Sequence, residues 1–381
     1  MPWETSTTMS QRRDFVHLAG QPGANVRELC RRFGISPPTA YKWLARHRAG
    51  GDAGLADRPR RPLTSPGRTA CALEQAVVAL RRRHPAWGGR KLRRRLKDLG
   101  HAGVPAASTI TAILRRGGLL PAGRAAPGPH QFFEAAAPND LWQMDFKGHF
   151  GLADGGRCHP LTVLDDHSRF AVGLLACGNE QGPLVQDRLT DCFRRFGLPA
   201  RLLCDNGPPW GDSRTLLRHT RLTVWLLRLG VGVIHGRPRH PQTQGKEERF
   251  HRTLTAELLQ GRSFRDLAEC QRRFDAWRAL YNHQRPHEAL DLGVPAGRYR
   301  ASPRPFPERL PAWEYDRTDA VRKVQAGGVI SFRGRDWPVG EAFRGEHVAV
   351  RPTTTDGLWR VHFGVHPVAE IDLLAHNTPG D

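Results

Sequence analysis

Apolar positions recur at helical spacing through the first 120 residues and give way to short apolar or alternating runs beyond residue 140. Residues 11–48 read as three short helices. In VRELCRRFGIS, the side chains Val26, Leu29, Cys30 and Phe33 share one face, and Gly34 then supplies a turn. Ser36 stands where a helix cap belongs, with Pro37 at the first helical position. The helix that follows, PPTAYKWLARHR, leaves Tyr41, Lys42, Arg46 and Arg48 on its outer side. Helix, glycine-containing turn and helix make the helix-turn-helix pattern, whose second helix enters the major groove. A second helical unit follows: Leu73, Val77, Val78 and Leu80 mark one helix, GGRKLRRRLKDLG another, and STITAILRRGG a third with Ser108 as its expected cap.

Past residue 140 the period changes. Strands are expected at 141–146, 159–164, 169–176, 200–204 and 231–234, with helices at about 181–196, 213–229, 245–260 and 264–284. Three strands followed by alternating helices and strands predict a mixed α/β sheet covered by helices. The tail from about 320 to 375 has short alternating runs (VISF, VAV, LWRVHF) broken by glycine, which predicts a small all-β module. Gly-, Pro- and Arg-rich stretches divide the chain. The expected organisation is a helix-turn-helix domain at 1–50, a basic linker at 51–70, a second helix-turn-helix-like unit at 71–118 and a linker at 119–137. An α/β core at 138–300, a proline-rich linker at 301–318 and the β module at 319–376 complete it.

Composition sharpens this outline. Of the net charge of +21, residues 1–130 carry +17, from 24 basic and 7 acidic side chains, leaving +4 for the rest. A basic front half on a nearly neutral rear half is the footprint of a nucleic-acid-binding arm. The run Arg90 to Lys97 in particular suits only phosphate or water. No stretch of about 18 apolar residues occurs, and the first twenty residues show no signal-peptide core, so a soluble, cytoplasmic protein with no membrane partner is expected. The seven cysteines never form C-x-x-C and read as small core residues, and no His and Cys pairs have zinc-ligand spacing.

Two apolar segments each deliver an aspartate to a strand end: LWQMDFKG holds Asp145 and ARLLCDNG holds Asp205. A carboxylate on a central strand is costly to bury unless it is paired or binds a metal, but an aspartate after a strand also makes good turns, as Asp205-Asn206-Gly207 would. Asp165 and Asp166 in VLDDHSR pose the same question, with the turn reading favoured there. The stretch RPRHPQTQGKEERFHRTL then runs from a basic loop into a helix bearing Glu247 and Glu248. On a helical wheel at about 100° per residue, Phe250, Leu254 and Leu258 form an apolar stripe that includes position 247, while position 248 lies about 120° away.

The motifs WQMDF, CDNG, HPQTQGKEERFHRTL and YNHQRPHEAL (281–290) occur in that order, and together they resemble the catalytic core of DDE-type insertion-sequence transposases, relatives of retroviral integrases. The resemblance covers about 138–300 and implies a ribonuclease H-like fold; two helix-turn-helix units before the core and a β module after it match one branch of that family. It implies a transposase that binds the terminal repeats of its element and catalyses metal-dependent DNA nicking and strand transfer. Asp145, Asp205 and Glu248 are the implied catalytic and metal-binding residues. Glu247 stands at the x of G-K-x-E-R-F, where the family usually carries an apolar residue. Two Mg²⁺ (or Mn²⁺) ions about 3.5–4 Å apart would clamp the attacking and leaving oxygens, with water as nucleophile for nicking and a 3′-hydroxyl for joining. The expected partner is double-stranded DNA, both element ends and target, bound by a homo-oligomer. Tyr41, Lys42, Arg46 and Arg48 would bind it from the helix in the major groove, and its phosphates would be met by Arg90, Lys91 and Arg94 and by Arg237, Arg239, His240, Lys246, Arg249 and Arg252 around the glutamates. Tyr281, Asn282, Arg285 and Pro286 in YNHQRPH read as terminating and packing the closing helix. The rival reading is a DNA-binding regulator derived from such an enzyme that has lost catalysis.

Overall fold

The computed structural model describes residues 7–58, 67–120, 134–211, 219–236, 245–310 and 312–374. The chain divides into two compact units, residues 1–68 and 69–381.

In the first unit, helices α1 (Thr8–Ala19), α2 (Val26–Phe33) and α3 (Pro37–Gly50) close over Phe15, Val16, Cys30, Ala40, Trp43, Leu44 and Leu55. Local chemistry sets the helix ends. Asn25 caps α2 by accepting from the N–H groups of Arg27 and Glu28, and Gly34 ends it at φ 63°, a left-handed conformation that favours glycine. The Ser36 hydroxyl makes no cap bond to the backbone and sits 3.0 Å from Thr39 Oγ1 instead. Three helices with a glycine turn before the last form the expected helix-turn-helix.

The second unit begins with α4 (Cys71–Arg83), α5 (Gly89–Asp98) and α6 (Ala107–Arg116), packed around Val77, Leu80, Trp87, Leu92, Leu96, Ile110, Ile113 and Leu114. Ser108 is not the cap of α6: Ala106 holds that position, and no side chain bonds to the free N–H groups there.

The central sheet comprises β1 (Trp142–Phe146), β2 (Phe150–Gly151), β3 (Arg157–Asp165), β4 (Ala171–Cys177), β5 (Arg201–Cys204) and β6 (Gly232–His235). Its main order is β4-β3-β1-β5-β6, with β2 on the start of β3. Strands β4, β3 and β1 run antiparallel, and β1, β5 and β6 parallel. Alternation along the strands loads two faces. Trp142, Met144, Leu161 and Val163 meet α7 (Gly182–Phe196) and α8 (Arg221–Arg228), and Leu164, Ala171, Leu174 and Ala176 meet α9 (Gly245–Leu254) and α10 (Leu267–His283). Between α9 and α10 the chain makes a π turn at Thr255–Leu259 that buries Leu258.

Residues 301–310, expected as a free linker, strap the edge of this core. Ser302 Oγ donates to Leu198 O, and the Arg304 guanidinium donates to the carbonyls of Pro199, Leu229 and Gly230. Gly197, at φ 76°, lies under the strap, where a Cβ would come within 2.7 Å of the Ser302 and Arg304 carbonyls. The chain then enters the β module: β7 (Ala320–Lys323), β8 (Val329–Phe332), β9 (Arg335–Pro338), β10 (His347–Pro352), β11 (Leu358–Phe363) and β12 (His366–Asp372). A four-stranded sheet ordered β12-β11-β10-β7 and the β8–β9 hairpin share one core, to which Val224 and Leu227 of α8 also belong.

Candidate active site on the central sheet

The two aspartates come from neighbouring parallel strands. Gln143 on β1 is paired with Leu203 on β5, so two residues further along the same register Asp145 stands level with Asp205, just past the end of β5. Burial pushes the Asp145 carboxyl up to about 6, and the charges of Asp205 and Glu180 add to that rise, while the Phe146 N–H and Lys147 oppose it. Asp205 is exposed, and its Oδ1 accepts from the Asn206 N–H at 2.6 Å. Two carboxylates brought level on adjacent strands, the charge of one raising the other, favour a cation near them. Their hard oxygen donors suit Mg²⁺ or Mn²⁺, so the residues present fit a divalent ion in type. Among the described residues no group of three or more His, Cys, Asp or Glu side chains is drawn together tightly enough to hold a metal.

Helix α9 crosses the sheet face that carries Asp145 and its cross-strand partner Thr162. As the wheel requires, Phe250 and Leu254 are buried, and so is Glu247, only 1% exposed, whereas Glu248 is exposed. The Glu247 Oε2 lies 3.0 Å from Thr162 Oγ1. Burial, and after it the Asp145 charge, push the Glu247 carboxyl well above its ordinary range. One turn on, His251 Nε2 is 2.9 Å from the same hydroxyl and Nδ1 is 4.0 Å from Asp145 Oδ2. Burial, with Lys147 adding to it, lowers the His251 imidazole to about 4, so it is neutral at pH 7. The adjacent glutamates thus divide: Glu247 packs beneath Asp145 in a polar cluster, and Glu248 faces solvent in the first turn. Thr162 and His251 escaped the sequence reading. The i, i+4 spacing of His251 from Glu247 was the available signal, since it places both on one helix face.

Asp165 and Asp166 are structural. Asp165 accepts from the Asn139 and Ser168 N–H groups and from the Ser168 hydroxyl. Asp166 accepts from the Ala135 N–H, from Gln143 Nε2 and from the Lys246 ammonium. The Lys246 placement corrects an expectation. Its ammonium is drawn inward to the fully buried Asp166 carboxylate, anchoring the start of α9, and is not directed at solvent phosphate. Lys91 is likewise half-buried, with Arg285, Glu257 and Glu288 near enough for their charges to act on it; burial first lowers its ammonium to about 8.

The other expected DNA contacts are mostly available. Tyr41, Lys42 and Arg48 are exposed on α3, and Tyr41 is 60% exposed, unusual for an aromatic ring with no role at the surface. Arg46 is half-buried, its guanidinium 5.0 Å from the Trp43 ring. Arg90 and Arg94 are exposed on α5, where Arg94 pairs with Asp98. Arg249 and Arg252 are exposed on α9. Arg237, Arg239 and His240 lie outside the described residues. The YNHQRPH segment packs, as its sequence suggests. Asn282 exchanges two hydrogen bonds with the Ala171 backbone, Tyr281 meets Phe250 edge-on at 4.9 Å, and Arg285 forms a buried pair with Glu257 at 2.8 Å. The six described cysteines other than Cys71 are buried and all seven are free.

Comparison with known families agrees with this architecture. The Integrase core domain matches residues 135–241 and, in a second profile, 229–295. The Helix-turn-helix domain matches 11–62 and the Homeodomain-like domain 39–114. Residues 135–295 are thus similar to the integrase core domain, with helix-turn-helix domains before it. The IS481 family transposase, C-terminal domain, matches 319–379. Among relatives, the insertion element IS407 uncharacterized 31.7 kDa protein of Burkholderia multivorans is 32% identical over 169 residues, 44% of this chain and 58% of that protein. The insertion element IS476 uncharacterized 39.2 kDa protein of Xanthomonas euvesicatoria is 29% identical over 66% of this chain and 72% of its own length. This chain thus spans rather more than half of the first relative. Among solved structures, the simian T-cell lymphotropic virus intasome, in complex with PP2A regulatory subunit B56 gamma, aligns over 78% of this chain and 95% of its own. The identity is 14% and the TM-score 0.39, a likeness too low to support anything further. Among the described residues no helix is long and apolar enough to cross a membrane.

Proposed function

We propose that this chain binds the terminal repeats of an insertion sequence and carries out divalent-metal-dependent nicking and strand transfer. The observation that carries the reading is the pairing of Asp145 and Asp205 at the ends of adjacent parallel strands, within the part of the chain that matches the integrase core. Asp145 and Asp205 would hold the metal together with Glu248, which is exposed in the first turn of α9, whereas Glu247 is buried against Thr162. Two divalent ions, when bound, supply Lewis-acid activation of the attacking and leaving oxygens of a phosphodiester.

The rest is done by the chain. Arg249 and Arg252, one turn apart or less from Glu248, align the DNA backbone against the carboxylates. The α3 face of Tyr41, Lys42, Arg46 and Arg48, with Arg90 and Arg94 on α5, holds the element end. Lys246 serves by clamping the start of α9 to Asp166, so that Glu248 is presented from a fixed backbone. Synapsis of two ends calls for at least two copies of the chain on DNA.

The test is a Mg²⁺- or Mn²⁺-dependent cleavage and strand-transfer assay on the terminal repeats. Asp145→Asn, Asp205→Asn and Glu248→Gln should each abolish nicking while leaving DNA binding in place. Activity in Glu248→Gln together with its loss in Glu247→Gln would reverse the glutamate assignment. A wild-type chain that binds the repeats but never cuts them would make it a regulator.

A further inference from the structure

The YNHQRPHEAL segment has two sides. Inward, Tyr281 meets Phe250, Asn282 bonds to the Ala171 backbone and Arg285 pairs with Glu257, which ties it to α9, to the sheet and to the π turn. Outward, it meets the second helical unit. Leu280 packs against the core that α4, α5 and α6 enclose, and Gln284 Oε1 accepts from the Arg95 guanidinium at 2.9 Å. Glu288 lines the cleft between the starts of α5 and α6, and its carboxylate lies 3.9 Å from Arg249 on α9. Arg249 is the chain neighbour of Glu248. Helix α5 is divided to match. Lys91 and Arg95, four residues apart and so on one face, are half-buried, and the charges of Arg285, Glu257 and Glu288 act on Lys91. Arg90, Arg94 and Lys97, also at helical spacing, are exposed. The basic run is therefore not one surface: one edge is docked on the core and the rest is left for DNA. Residues 69–381 accordingly form one compact unit, from which 1–68 stand apart.

We propose that the YNHQRPHEAL segment is the seat that couples repeat recognition by the second helical unit to the cleavage site, so that the cut falls at a fixed distance from the base pairs that α4–α6 bind. This rests on reading the chain as an enzyme that cuts element ends. Leu280, Gln284 and Glu288 are positioning residues: they act by holding α5 and α9 in one frame, not by contact with DNA. A misplacement of about 1 Å at the reacting centre can cost about 10²-fold in rate, so a loose seat is read in where the strand is cut. The first helix-turn-helix, a compact unit of its own, adds affinity and sets no distance.

The experiment maps the cut to the nucleotide on terminal-repeat duplexes lengthened by a few base pairs, using the full chain. Placed between the footprint of the second unit and the cut, the insertion should leave the cut at its original distance from that footprint. Placed between the footprints of the two units, it should lower affinity and leave the cut unmoved. A cut that follows the element boundary in the first case would overturn the proposal. Leu280→Glu and Arg95→Glu, which part the two surfaces, should each spread the cut over neighbouring bonds and slow it at the native bond by up to about 10²-fold. Adding Gln284→Lys to Arg95→Glu restores an attractive pair across the same contact and should sharpen the cut again. A sharp, unshifted cut in both single variants, or a spread that the added lysine fails to narrow, would count against the seat. If the parent chain binds the repeats and never cuts them, the enzyme reading fails, and the seat is judged by amide hydrogen exchange. Repeat DNA should then slow exchange in α5 and α10 together in the parent and in α5 alone in Leu280→Glu; slowing confined to α5 in the parent would sink it.

Discussion

Two pairs of acids stand on the same central sheet and could hardly be treated more differently. Asp165 and Asp166, at the end of β3, are fully buried, and six donors converge on them: three N–H groups, a hydroxyl, an amide and an ammonium. Asp145 on β1 and Asp205, exposed just past β5, accept from the backbone N–H groups next to them, and burial with the Asp205 charge holds Asp145 up to about 6. A carboxylate whose lone pairs are all engaged is part of the scaffold. One left facing another carboxylate is an instability that the fold retains, and such places are where a charged ligand gains most by binding.

The contrast can be broken by substitution. The largest effect belongs to the under-satisfied pair: Asp145→Asn or Asp205→Asn should reduce cleavage of element ends on the order of 10³-fold or more. Thermal unfolding of the same proteins should not weaken, because neither carboxylate holds the fold together. A marked drop in melting temperature would place this pair in the scaffold as well. Asp166→Ala should do the reverse. It leaves the Lys246 ammonium and the Ala135 and Gln143 donors without a partner and should lower stability of the core by about 3–5 kcal/mol, measured by denaturant unfolding. If that protein remained as stable as its parent, the converging donors would be incidental.

Smaller effects separate the glutamates and the DNA contacts. Glu247→Met removes a buried carboxyl from an apolar stripe and should change stability by less than about 1.5 kcal/mol, or raise it, a result read from the same unfolding curves. The smallest change is expected at the DNA surface. Lys42→Ala should weaken binding to all sequences alike and reduce the slope of log affinity against log salt by about 1. The matching change at Lys246, whose ammonium is turned inward, should alter stability and not that slope.

The sequence reading went furthest where a period was long. The strands fall within about two residues of their expected bounds, and the helical wheel of α9 puts Glu247 in the stripe that the structure buries. It went least far where a partner was distant in the chain. Nothing in KEER says that Lys246 will meet Asp166 eighty residues earlier, so a lysine among arginines read as one more phosphate contact. The 301–310 strap read as a linker because its Pro and Arg content resembles one, while what holds it is backbone carbonyls of Leu198, Pro199, Leu229 and Gly230, which have no signature in composition. Ser108 was a plausible cap by type, but the helix begins one residue before it, so its hydroxyl sits too late to take that role.

Helix α8 has a consequence for anyone who would cut this protein into parts. Leu222 and Leu226 point into the central sheet, while Val224 and Leu227 on its other side complete the interior of the β module, and Arg228 reaches Glu346 at 3.2 Å. One two-turn helix is thus the common wall of two rooms. Truncation after the strap would leave Val224 and Leu227 bare, an invitation to aggregate. Soluble fragments should be sought by keeping residues 69–374 together, with the first helix-turn-helix as the separable piece.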